Sequence, residues 1–132
     1  MQIIKEYPPN YEQIKLAVNP PKEAFFPWGE KLYNPSGVEI PEDIIYHEQV
    51  HWRQQREFPS PAMWWQKWCL DKEFRKQQET EAFAHQWHFV KRFYPTKASD
   101  QALEEFSEQL ADHYKLGINK YEAKTLIRKY AI

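Results

Sequence analysis

Proline and glycine are spread so unevenly along this chain that they nearly decide its architecture. Seven of the ten prolines fall before residue 42, whereas the stretch from Ala62 to Tyr94 contains neither proline nor glycine. A proline inside a helix removes a hydrogen bond and clashes with the preceding turn, so a long breaker-free stretch bounded by prolines is where helix can run. The segment "AMWWQKWCLDKEFRKQQETEAFAHQWHFVKRFY" therefore reads as one long helix, or as two with a break near Asp71. Before it, Pro41 suits a first helical position, Glu42 and Asp43 favour the positive end of a helix dipole, and no breaker follows until Pro59. Ser60 with Pro61 can start the next helix, Ser99 with Asp100 a later one closed by Gly117, and Asn119 can cap a last one through Tyr130.

The proline-rich beginning reads differently. Pro8-Pro9 and Pro20-Pro21 bracket "NYEQIKLAVN", where Asn10 can cap a helix of two turns. "EAFFPWGEKLYNP", residues 23–35, reads as two short strands about a turn at Trp28-Gly29, with Pro27 confining the first to an edge or a bulge. The fold class is thus α+β, mostly helical, with a small N-terminal β hairpin or sheet. At 132 residues it is one domain, 1–132, with a sizeable core. Aromatic residues make up 17% of a hydrophilic chain, so a few large rings should build that core, and a stripe of tryptophans is weak evidence for a ligand platform.

Charge and cysteine content narrow the function classes. The 18 basic and 19 acidic residues nearly cancel, which argues against binding nucleic acid or an anionic membrane surface. The single cysteine, Cys69, excludes an internal disulfide and a cysteine-rich zinc site. No secretory signal or membrane-spanning stretch is apparent, so the expected location is cytoplasmic.

The stretch with chemistry in it is "IIYHEQVHWRQQ", residues 44–55. Four residues apart on a helix, His47 and His51 lie one turn above each other and can both aim a ring nitrogen at a point about 2.0–2.1 Å away, as zinc requires. Ile44, His47, His51 and Phe58 fall near one face, which should look inward. Glu48 is rotated by about 100° from His47, outside the ligand set but beside it. A metal lowers the pKa of a coordinated water from about 15.7 to about 7, and a neighbouring carboxylate can take the proton as a carbonyl is attacked. The competing account makes His47 and His51 ordinary partly buried histidines and Glu48 a solvated helix residue.

"HEQVH" resembles the HExxH signature of the zincin metallopeptidases, and "ETEAFA", residues 79–84, resembles the downstream E-x-x-A element that supplies a glutamate ligand in the gluzincin branch. The wider pattern, "YNPSG", "HEQVHWRQQ", "WWQKWCLDKEFRKQQETEAFAHQ" and "GINKYEAKTLI", is similar to small single-domain HExxH proteins encoded by tailed phages and prophages, over roughly residues 24–128. The resemblance implies a zincin-like, minigluzincin domain with zinc held by His47, His51 and Glu79, and with Glu48 as general base in hydrolysis of a peptide or protein substrate. If the chain is phage-encoded, a virion association is also implied. One position departs from the pattern: many gluzincins place an aspartate four residues after the ligand glutamate, to hold a ligand histidine by its other ring nitrogen, and here that place is Phe83. Losing such a partner typically lowers metal affinity or activity about 10–100-fold.

Other candidates stay open beside this set. Glu79 shares a face with Phe83, Trp87, Val90 and Tyr94, whereas Glu81 aligns with Ala84, His85 and His88 on a face expected to look outward, so Glu79 is the preferred third ligand. His85 and His88, three apart, offer an alternative metal pair. His113, Tyr114 and Tyr121 are possible donors to an oxyanion. Trp64, Trp65, Trp68 and Trp87 read as core rather than as a specificity pocket, and Lys72, Arg75, Lys76, Lys91 and Arg92 as solvated helix faces. "AFFPWGEKLY" is either an edge strand that carries substrate or one that merely packs on the helices. Two rival functions remain: a zinc-stabilised but inactive structural or assembly protein, and a helical binding module without metal.

Overall fold

The computed structural model describes residues 1–132 and places a small sheet at one end of a six-helix assembly. Strands β1 (Gln2–Ile4), β2 (Phe26–Trp28) and β3 (Lys31–Tyr33) form a sheet in the order β1-β3-β2, with β1 parallel and β2 antiparallel to β3. Helix α1 (Tyr11–Val18) separates β1 from the hairpin, and α2 (Glu42–Gln55), α3 (Pro61–Leu70), α4 (Lys72–Phe93), α5 (Thr96–His113) and α6 (Lys120–Lys129) follow. The α+β, mostly helical class expected from the sequence is the class observed. No helix is long and apolar enough to cross a membrane.

The hairpin is local chemistry. Trp28 pairs with Lys31 across the two-residue loop Gly29-Glu30, and Gly29 takes φ 60, a left-handed conformation open to glycine without steric cost. β2 is an edge strand, as Pro27 requires. Its outer side is closed: Pro27 has no N–H, and its carbonyl accepts from both Gln55 Nε2 (3.0 Å) and Trp65 Nε1 (2.8 Å). Gln55 Oε1 also accepts from the Gly29 N–H at 2.6 Å. One buried glutamine at the end of α2 thus pins the hairpin to the motif helix, and of the two roles open to this strand the geometry fits packing.

Helix boundaries follow their caps, with three departures from expectation. Ser60 accepts from Met63 N, Asp71 accepts from Phe74 N, and Asn119 with Glu122 forms a full capping box, so the breaker-free stretch is two helices divided at Asp71. Pro41 is the N-cap of α2 rather than its first helical residue. α5 begins at Thr96, and Ser99 bonds back to the Thr96 carbonyl instead of capping. It also ends at His113, before Gly117, because the chain turns through Lys115 (φ 51) while Arg75 Nε takes the Tyr114 carbonyl at 2.8 Å. Asn10 does occupy the N-cap position of α1, but its side chain makes no capping bond.

Two apolar clusters flank α2 and α4. One joins α4, α5 and α6 through Phe83, Ala84, Val90, Leu103, Phe106, Leu110 and Ile127. The other joins the sheet, α1 and α3 through Ile14, Val18, Phe26, Tyr33, Trp64, Trp65 and Trp68. Trp64, Trp65 and Trp68 are core residues, as expected, and Trp87 is half-buried. Arg75 is not on a solvated face: it is buried over the Trp68 ring and donates to the carbonyls of Trp68, Cys69 and Tyr114, tying the end of α3 to the end of α5. α4 is wrapped on more than one side, so Ala84, expected to face outward, is buried, while Tyr94, expected inward, is half exposed.

Candidate metal centre

Helix periodicity brings four polar side chains to one buried place. α2 supplies His47, Glu48 and His51, which are 5%, 6% and 3% exposed, and α4 lays Glu79, 3% exposed, across from them. Single ligand atoms from His47, Glu48 and His51 all lie within 4.8 Å of one another. Glu79 Oε1 is 3.5 Å from His47 Nε2, and Glu79 Oε2 is 3.1 Å from His51 Nε2. A tetrahedral zinc with ligands at its usual distances separates neighbouring donor atoms by about 3.3 Å, so both spacings suit donors around a common ion. Glu48 Oε1 stands 3.7 Å from His47 Nε2, and Glu48 Oε2 is buried with no hydrogen-bond partner.

Burial and the mutual charges of the cluster act against each other. Burial pushes the Glu48 carboxyl up, and the negative Glu79 adds to that push against the two histidines. Burial would raise Glu79 as well, but His51 and His47 outweigh it and hold its carboxyl well below the ordinary range. Burial also works against the charged form of His51, yet Glu79 and Glu48 prevail and lift it to about 9. A buried carboxylate oxygen without a partner, beside two imidazoles and a second carboxylate, is a donor set that fits a divalent cation.

Behind the imidazoles lie partners that sequence reasoning missed. His47 Nδ1 donates to Gln86 Oε1 at 2.9 Å, and Gln86 Nε2 donates to Asp43 Oδ2 at 2.7 Å. His51 Nδ1 donates to Gln54 Oε1 at 2.7 Å, and Gln54 Nε2 donates to Glu81 Oε1 (2.7 Å) and to the Gln78 carbonyl (3.1 Å). Tyr130 closes the second chain by donating its hydroxyl to Glu81 Oε2 at 2.6 Å. Glu81 is therefore not the partnerless outward residue expected. Trp68 Nε1 donates to Glu79 Oε2 at 2.9 Å, so a tryptophan of the core also orients this carboxylate. Helical spacing carried the signal: Asp43 precedes His47 by four residues, Gln54 follows His51 by three, and Gln86 follows Glu79 by seven.

The remaining candidates separate cleanly. His85 is half-buried beside Tyr46 and Tyr130, His88 is exposed, and neither joins the cluster. Tyr121 is 78% exposed. Tyr114 lies at the cluster: its phenol is held well above its usual pKa by burial first, and then by the charges of Glu79 and Glu48. A cleft of about 490 Å³ opens onto His47, Glu48, Glu79 and Tyr114, with apolar walls that include Ile14, Val18, Phe26, Trp65 and Phe83. His113, an exposed residue, also lines it. No family model, curated protein or solved structure matches the chain.

Proposed function

We propose that this protein is a zinc-dependent peptidase, with zinc held by His47, His51 and Glu79 and with Glu48 as the general base. The observation that carries the reading is Glu48: a buried carboxylate with one oxygen unpaired, beside His47, His51 and the Glu79 carboxylate that faces both, opening onto a cleft large enough for substrate side chains. Zinc in such a set would polarise a substrate carbonyl and acidify water. Glu48 receives the proton lost by the attacking water and passes it to the departing amine. Tyr114, whose hydroxyl keeps its proton, donates a hydrogen bond to the oxyanion that forms on the former carbonyl. Trp68 holds Glu79 in place through its indole N–H. The apolar walls of the cleft select a large hydrophobic side chain next to the scissile bond.

One observation favours a second reading. Glu48 Oε1 is near enough to His47 Nε2 to join the donor set itself, which would close the site and make zinc purely structural. Glu48→Gln distinguishes the two. A peptidase keeps its zinc and loses hydrolysis of a peptide library, whereas a closed structural site loses zinc affinity and had no hydrolysis to lose.

A further inference from the structure

The two glutamines behind the histidines do more than fill space. A carboxamide has one accepting end and one donating end, so its orientation decides what its neighbour must do. In Gln86 the donating end faces the Asp43 carboxylate, which only accepts, and this leaves Oε1 against His47 Nδ1. In Gln54 both amide hydrogens are committed, one to Glu81 and one to the Gln78 carbonyl, which leaves Oε1 against His51 Nδ1. Rotating either amide by half a turn would set oxygen against oxygen. All four groups that matter most, Gln86, Gln54, His47 and His51, are at least nine-tenths buried, so water offers no easy replacement.

We propose that Gln86 and Gln54 are positioning residues of the metal centre: each amide, locked by a carboxylate behind it, keeps one imidazole with Nδ1–H outward and the Nε2 lone pair free for the metal. The inference rests on the metal-site reading. It assigns to two chains, His47–Gln86–Asp43 and His51–Gln54–Glu81–Tyr130, the orienting task that a carboxylate bound directly to a ligand histidine would otherwise perform. Asp43 and Glu81 act at one remove, through an amide, and never touch an imidazole.

That order of action gives the test. In the full-length chain, zinc affinity measured by competition with a chromophoric chelator should fall about 10–100-fold in Gln86→Leu. Asp43→Leu should also weaken zinc binding, because it frees the Gln86 amide to turn. Asp43→Asn should restore it, since an amide oxygen can still accept from Gln86 Nε2. The double variant Gln86→Leu/Asp43→Leu should bind no worse than Gln86→Leu alone, since Asp43 acts through Gln86. Unchanged affinity in Asp43→Leu, or losses that multiply in the double variant, would overturn the proposal. Proton placement is read separately by long-range proton–nitrogen NMR of the metal-free wild-type chain above about pH 9, where each imidazole keeps a single proton. A proton on Nδ1 of both histidines is expected, and its absence from either would overturn the proposal without reference to metal. Failure of wild-type protein to take up zinc, with both Nδ1 protons in place, would instead refute the metal-site reading alone.

Discussion

Phe83 packs edge-on against the imidazole of His47, with ring centroids 4.6 Å apart and planes at 72°. This is the position at which the gluzincin pattern would put a carboxylate, and the ring cannot accept a hydrogen bond from His47 Nδ1. Gln86, three residues further along α4, accepts it instead. The ring also joins the site to the core, because Phe83 packs on Phe106 and Tyr114 as well. Phe83→Asp should therefore not improve the centre. It removes a fully buried ring and buries a charge that Gln86 leaves without a partner, at a cost of about 3–5 kcal/mol or more. Urea denaturation of the variant should show that loss in the midpoint.

Glu79 and Glu81 should respond differently to truncation. Glu79→Ala removes a donor atom facing both Nε2 atoms, so bound zinc should be lost. Glu81→Ala reaches His51 only through Gln54, and zinc should stay bound with affinity reduced by about 10-fold. Equilibrium dialysis followed by elemental analysis compares them directly. Retained zinc in Glu79→Ala with lost zinc in Glu81→Ala would exchange their roles.

The contrast shows what the sequence could and could not convey. Period and capping residues made α2, the hairpin and the Asn119 cap legible and offered a break at Asp71 as one of two readings, because each rests on local rules that a window of a few residues contains. β1 was not legible: three residues long, it exists only because β3 lies beside it in parallel. Arg75 was misread for the same reason, since the three carbonyls that accept its hydrogen bonds are assembled by tertiary packing. His47, Glu48 and His51 were legible from spacing and Glu79 from its helix face and the E-x-x-A resemblance, and the structure brings the four together. Their glutamine partners were missed although helical spacing sets them on the right faces, because only the packed α2–α4 pair shows which glutamines are buried and what their amides meet.

Proton competition should be visible in metal binding. In the metal-free protein His51 is raised from its ordinary 6.5 to about 9, with Glu79 its main partner against the cost of burial. The stabilisation from this raised pKa is complete below 6.5 and disappears as pH rises through about 9. The unfolding free energy of metal-free protein should accordingly decline between those pH values. At pH 7.5 a zinc ion must displace the His51 proton, so zinc affinity should rise with pH and calorimetry in buffers of different ionisation enthalpy should show a proton released. A pH-independent affinity would contradict the pairing of His51 with Glu79.

Tyr114 should matter to turnover but not to metal. Tyr114→Phe keeps the ring packed on Trp68 and Phe83 and removes only the hydroxyl. The expected result is unchanged zinc content with kcat lowered about 100–1000-fold, the usual effect of deleting an oxyanion donor. A variant that loses zinc would place the hydroxyl in a supporting role for Glu79 instead.

The most direct test of the central claim is the metal content of the wild-type chain, purified without an affinity tag and analysed by mass spectrometry of the elements alongside its melting temperature. Zinc near one equivalent per chain, with a melting temperature that falls when a chelator strips it, is the predicted result, since ligands from α2 and α4 would be cross-linked by the ion. A chain that carries no metal, takes up none from added zinc and melts at the same temperature in chelator would contradict it.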